Sequence, residues 1–154
     1  MKLSTKGRYA VMAMVDLAAN SEGKPVSLAE IAERQEISLS YLEQLFGKLR
    51  RGELVKSVRG PGGGYLLSRS PGETRVSDIV VAVDEPLRAT RCEIGSSVGC
   101  LSDSGRCLTH DLWEELGNQI HMFLSSVSLE DVIAKRVLGL RNVAPAESAG
   151  RALA

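Results

Sequence analysis

Three features predict a mainly α chain, a winged helix-turn-helix domain followed by a long C-terminal dimerisation helix. Two short amphipathic stretches, each opened by a capping serine, meet at a tight turn; a glycine-rich hairpin follows them directly; and a long stretch with a wide apolar stripe starts near residue 109. Across 154 residues, 44% are apolar and only 4% aromatic, which suits a helical core of Leu, Val, Ile and Ala. That length fits one domain, or a small domain with an appendage.

The first helix runs from about Leu3 to Asn20, with Tyr9, Ala10, Ala13, Met14, Leu17 and Ala18 recurring every three or four residues. Its apolar run from Tyr9 to Val15 superficially resembles an export signal, but it is short, Asp16 interrupts it, and its spacing is that of a core helix. No run approaches the ~20 apolar residues of a membrane span. The expected location is the cytoplasm, where thiols stay reduced.

Gly23 and Pro25 break the chain. Ser27-Leu28-Ala29-Glu30 is a capping box for a second helix ending near Gln35, with Leu28, Ile31 and Ala32 on one face. Ser38 caps a third, about Leu39–Arg51, which buries Leu42, Leu45, Phe46 and Leu49. Two short helices on a tight turn read as helix-turn-helix. The outward face of the third carries Ser40, Tyr41, Glu43, Gln44, Gly47 and Lys48, short or planar hydrogen-bonding groups suited to base edges in a major groove. Lys48, Arg50 and Arg51 at its end are expected to meet phosphate. An ordinary solvated face is the plainer alternative.

Leu54–Val58 and Tyr65–Leu67 flank Arg59-Gly60-Pro61-Gly62-Gly63-Gly64 and form a hairpin, the wing. No Gly-Lys-Ser/Thr follows, so this is not a nucleotide-binding loop. Its glycines let the backbone approach a sugar-phosphate surface, and Arg59 suits a narrow minor groove. A fourth helix, about Val76–Val83, shows Val76, Ile79, Val80 and Val83 on one face before Asp84-Glu85-Pro86 ends it.

All three cysteines and one of the two histidines then fall within Cys92–His110. Seven residues separate Cys92 from Cys100, six separate Cys100 from Cys107, and two separate Cys107 from His110. The segment between them is rich in glycine and serine. Ordering it costs roughly 1–2 kcal/mol of backbone entropy per residue, so something must hold it down. Thiolates with an imidazole suit zinc or an iron–sulfur centre. Unrelated thiols in a loop, or a disulfide with one thiol left over, are the alternatives.

Thr109 is placed to cap the long helix, whose stripe is Leu112, Trp113, Leu116, Ile120, Phe123, Leu124 and Val127. That stripe is wider than a small core can cover and predicts pairing with a second copy. His121 lies roughly 16 Å along the axis from His110 at ~1.5 Å per residue, so the two cannot share a centre. Ser128-Leu129-Glu130-Asp131 caps a last helix to about Leu138, with Gly139 as its stop. The expected divisions are a DNA-binding unit 1–83, a ligand loop 84–108, dimerisation helices 109–140 and a disordered tail 141–154. Residues 1–75 hold twelve Lys/Arg against eight Asp/Glu, and residues 76–154 hold seven against eleven, so the first half is the one suited to a polyanion.

Met1-Lys2-Leu3-Ser4-Thr5-Lys6-Gly7-Arg8-Tyr9-Ala10, the stretch Ile37–Leu45, the wing Arg59–Tyr65 and Cys107-Leu108-Thr109-His110-Asp111-Leu112-Trp113 closely resemble the IscR family of winged-helix, iron–sulfur-sensing transcription regulators. The resemblance covers the chain to about residue 140. It implies a bacterial homodimer on double-stranded DNA that represses iron–sulfur assembly genes when it holds a 2Fe–2S cluster supplied by the iron–sulfur assembly machinery. Cys92, Cys100, Cys107 and His110 would be the ligands; Ser40, Tyr41, Glu43, Gln44 and Arg59 would face the grooves. Ser38, Lys48, Gly60, Pro61, Gly62 and Gly63 complete the expected DNA-contact set.

The better-known members have five residues between successive cysteines. Siblings with a longer first gap hold a 4Fe–4S cluster and sense iron or nitric oxide, so that sensor is the alternative. From other classes come an iron–sulfur electron carrier or scaffold, and a zinc hydrolase. The hydrolase would draw on Glu93, Asp103 and Asp111, but no hydrolase motif is present. The chain is therefore expected not to be an enzyme.

Overall fold

A computed structural model describes residues 4–87, 89, 99–103 and 105–138. The order is α1 (Thr5–Asn20), α2 (Leu28–Gln35), α3 (Leu39–Arg51), β1 (Val55–Val58), β2 (Gly64–Leu67), α4 (Val76–Ala82), α5 (His110–Ser126) and α6 (Leu129–Ile133). Met1–Leu3, Cys92, Gly139 and residues 141–154 lie outside the described residues.

Local sequence sets the helix starts. Ser27 Oγ accepts from the Glu30 amide while the Glu30 carboxylate accepts from the Ser27 amide at 2.8 Å. Glu36 then takes a left-handed conformation (φ 54°) that ends α2, and Ser38 Oγ accepts from the Tyr41 amide at 3.3 Å to start α3. The same device opens α6, where Ser128 and Asp131 satisfy each other's amides. The α6 helix stops at Ile133, short of the expected Leu138, because Lys135 adopts a left-handed backbone (φ 58°) and turns the chain.

The core is Ala10, Ala13, Met14 and Leu17 of α1, Ile31 of α2, the whole inner face of α3 (Leu42, Leu45, Phe46, Leu49), and Ile79 with Val83. Each large side chain buried there contributes roughly 1.5–3 kcal/mol of transfer free energy. Leu129 of α6 joins this same core, so the C-terminal helix closes over α1. A smaller cluster of Val76, Val80 and Val127 ties α4 to the end of α5. It is backed by bonds from the Val76 amide to the Val127 carbonyl and from the Leu129 amide to the Thr74 carbonyl, both 3.0 Å.

β1 and β2 pair antiparallel, from Val55 opposite Leu67 to Val58 opposite Gly64. Val26, just before α2, exchanges backbone bonds with Tyr65 at 3.0 and 2.8 Å and anchors the hairpin to the helices. Gly64 is required here: a Cβ would lie 2.3 Å from the Val26 carbonyl oxygen. The Tyr65 ring meets Phe46 edge-on with centroids 4.9 Å apart, which carries the wing's orientation into the core.

Candidate nucleic-acid interface and metal-ligand cluster

The outer face of α3 is exposed because its inner face is wholly occupied by the core, and the wing tip is exposed as well. Ser40, Glu43 and Gln44 are exposed on the first turns of α3. Tyr41 is half-buried, its ring edge-on to Tyr9 with centroids 6.0 Å apart, so it braces α3 on α1 as well as bordering this face. The Ser38 hydroxyl is committed to the helix cap. Arg59, Gly60, Pro61 and Gly62 are exposed at the wing tip and Gly63 is half-buried. Gly60 sits at φ 98°, a conformation L side chains avoid.

Lys48 has an acidic neighbour that the sequence does not announce. Its ammonium pairs with Asp84 Oδ2 at 2.7 Å. The reason lies in the end of α4: Asp84 turns left-handed (φ 58°) after the last turn and faces the basic end of α3. The Lys48 ammonium holds the Asp84 carboxyl below its ordinary value, and Lys6 and Arg51 add to the effect. Next in the chain, Glu85 is buried and accepts from both the amide and the hydroxyl of Ser4. Burial pushes its carboxyl up, but the Ser4 hydroxyl, the Ser4 and Gly7 amides and Lys6 outweigh burial and leave it below the usual carboxylate range.

Two of the ligand candidates, Cys100 and His110, meet where α5 begins. Cys100 Sγ lies 3.1 Å from His110 Nδ1. Cys107 precedes His110 by one turn, its carbonyl accepting from the His110 amide at 3.1 Å. His110 is buried, 6% exposed, and its Nε2 has no hydrogen-bond partner among the described residues. Glu114 Oε2 stands 3.4 Å from that nitrogen, and Asp111 completes a group of ligand atoms within 4.8 Å of one another. The i, i+4 spacing of Glu114 from His110 is the sequence signal that finds this carboxylate. Thr109 does not cap α5. Its backbone (φ −100°, ψ 6°) is not extended, and its hydroxyl lies 3.6 Å from Cys107 Sγ.

Chemically, a thiol against a buried imidazole is a soft donor pair, suited to zinc or an iron–sulfur centre and unsuited to magnesium or calcium; the Cys107 thiol faces Thr109 and does not join the group of ligand atoms around His110. His121 is exposed, apart from this group, and lines a cavity of about 600 Å³ with Val81, Leu87, Trp113 and Met122. The stripe on α5 is open to solvent in the single chain: Leu112 is 60% exposed, Phe123 45% and Trp113 40%. No helix among the described residues is long and apolar enough to cross a membrane.

Residues 3–135 match Rrf2, described as an iron-dependent transcriptional regulator. The chain is 56% identical over 133 residues to the HTH-type transcriptional regulator IscR of Xenorhabdus nematophila, covering 86% of this chain and 79% of that one. Among solved structures it is similar to T. potens IscR (TM-score 0.70, 37% identity, covering 100% of this chain and 94% of that one). It is also similar to CymR, the global cysteine regulator of B. subtilis (TM-score 0.73, 34% identity, 88% and 98%).

Proposed function

The chain belongs to the Rrf2 family of transcriptional regulators, a DNA-binding regulator and not an enzyme, and from that premise we propose that it is a cytoplasmic homodimer whose grip on its operators is set by an iron–sulfur cluster on the Cys92–His110 segment. Cys92, Cys100, Cys107 and His110 would hold the cluster, supplied by the iron–sulfur assembly machinery. Bound there, it would add a redox- and iron-sensitive crosslink to a segment otherwise rich in glycine and serine.

One observation carries this reading: Cys100 Sγ and His110 Nδ1 stand 3.1 Å apart at the root of α5, with Cys107 one turn away. Ser40, Glu43, Gln44 and Arg59 would read the grooves, while the glycines of the wing let the backbone approach the sugar-phosphate surface. Two copies joined through the α5 stripe would present two α3 helices to successive major grooves, as two-fold dimers of helix-turn-helix proteins do. Its targets would be iron–sulfur assembly genes, repressed while the cluster is held.

The cluster would be of the 2Fe–2S type, as in the better-known IscR-type regulators the chain resembles. A 4Fe–4S sensor of iron or nitric oxide is the second reading, favoured by the seven- and six-residue gaps between the cysteines.

Anaerobic purification with a visible spectrum and iron and acid-labile sulfide counts tests the proposal and separates the two cluster types. A coloured protein that loses iron and sulfide when Cys100, Cys107 or His110 is replaced is the expected result. A colourless protein with stoichiometric zinc overturns it.

A further inference from the structure

We propose that Asp84 is a positioning residue for DNA binding: its carboxylate holds the Lys48 ammonium back from the phosphate backbone, so the residue at which the chain leaves α4 for the ligand segment sets how much positive charge α3 offers to DNA. The inference rests on the DNA-binding reading above.

Lys48, Arg50 and Arg51 form the basic last turn of α3. Lys48 Nζ is 2.7 Å from Asp84 Oδ2, with the lysine side chain 31% exposed and the aspartate 73%. The carboxylate is carried on an anchored backbone. The Asp84 amide bonds to the Val81 carbonyl at 3.0 Å, its own carbonyl accepts from Lys6 Nζ at 3.1 Å, and Glu85 beside it is fastened to Ser4. Arg51, Gly52, Val81 and Ala82 line the cleft in which the pair sits. Exposed ion pairs contribute little to stability, so the consequence of this one lies in where the charge goes. A lysine that binds phosphate releases condensed counterions, whereas one already paired must first exchange its carboxylate for the phosphate. The partner of Lys48 stands at the first residue of the ligand segment, so displacement of that segment reaches the reading helix through one side chain.

The test compares the full-length wild type, Asp84→Asn, Lys48→Met and the double variant for binding a non-operator duplex by fluorescence anisotropy across a salt series. Asparagine tolerates the left-handed backbone, and methionine keeps the apolar stem of lysine; circular dichroism checks each fold. Asp84→Asn is expected to bind roughly two- to five-fold more tightly, the size of an exposed pair's contribution. Its log–log salt slope is expected to steepen by up to about 0.9. Lys48→Met should bind more weakly with a shallower slope, and the double variant should match Lys48→Met. Wild-type affinity or weaker in Asp84→Asn overturns the proposal, as does a gain that survives in the Lys48→Met background, which would reflect loss of negative charge alone. If wild type and Lys48→Met bind equally and without salt dependence, the DNA-binding reading itself fails.

Discussion

Glu85 accepts from both the amide and the hydroxyl of Ser4, joining residues 81 positions apart at the foot of α1. The hydroxyl that would cap α1 is thereby turned to Glu85, beyond the end of α4, and Ser4 makes no side-chain cap of its own. This carboxyl titrates below its ordinary range, so its contribution to stability is complete above the unfolded value and is lost as pH falls through the lower, folded value. Glu85→Gln should destabilise the protein at pH 7 by about 1–2 kcal/mol, the share of a charge-assisted bond. Melting temperatures from pH 7 to 3 should converge for the two proteins; a constant difference over that range would count against it.

Leu129→Ala should cost about 2–5 kcal/mol, since its side chain is fully buried against α1. Urea unfolding followed at the tyrosines should shift its midpoint in one cooperative step. A separate early step confined to the C-terminal part would contradict the packing of α6 into the main core.

Phe123→Glu places a charge in the exposed stripe of α5. Sedimentation velocity is expected to show monomers at concentrations where the parent chain is paired, with operator affinity falling at least tenfold as the second half-site is lost. The isolated chain should unfold as before, because Phe123 adds nothing to its core.

Glu43→Ala removes an exposed carboxylate from the first turns of α3. Such a group accepts from cytosine N4 and disfavours other edges, so its loss should cut discrimination between matched and mismatched operators by about 1–3 kcal/mol. Competition binding at fixed salt measures this, and unchanged relative affinities would exclude a reading role for Glu43.

What was legible in the sequence was local. The serine caps at Ser27, Ser38 and Ser128 depend on residues three positions away, and the buried faces of α1 to α4 follow from helical spacing. The donor types on the ligand segment were legible, but the Cys100–His110 approach spans ten positions and was reached only through the family resemblance. The Lys48–Asp84 pair was not legible, since its members are 36 positions apart and nothing local distinguishes Lys48 from Arg50 or Arg51. The short α6 was missed because Val137 and Leu138 continue the apolar pattern, while Lys135 turns left-handed with no glycine to signal it. Thr109 has a capping residue's identity but not its backbone angles.

Because α6 returns to the core that α1 and α3 build, everything between α4 and α6 is a handle riveted to one body at both ends. Strain introduced along that handle has no loose terminus through which to dissipate. It must be borne by the two roots, one at Asp84 and Glu85, which reaches α3 through Lys48, and the other at Val127 and Ser128, which reaches α4 through Val76 and Arg75.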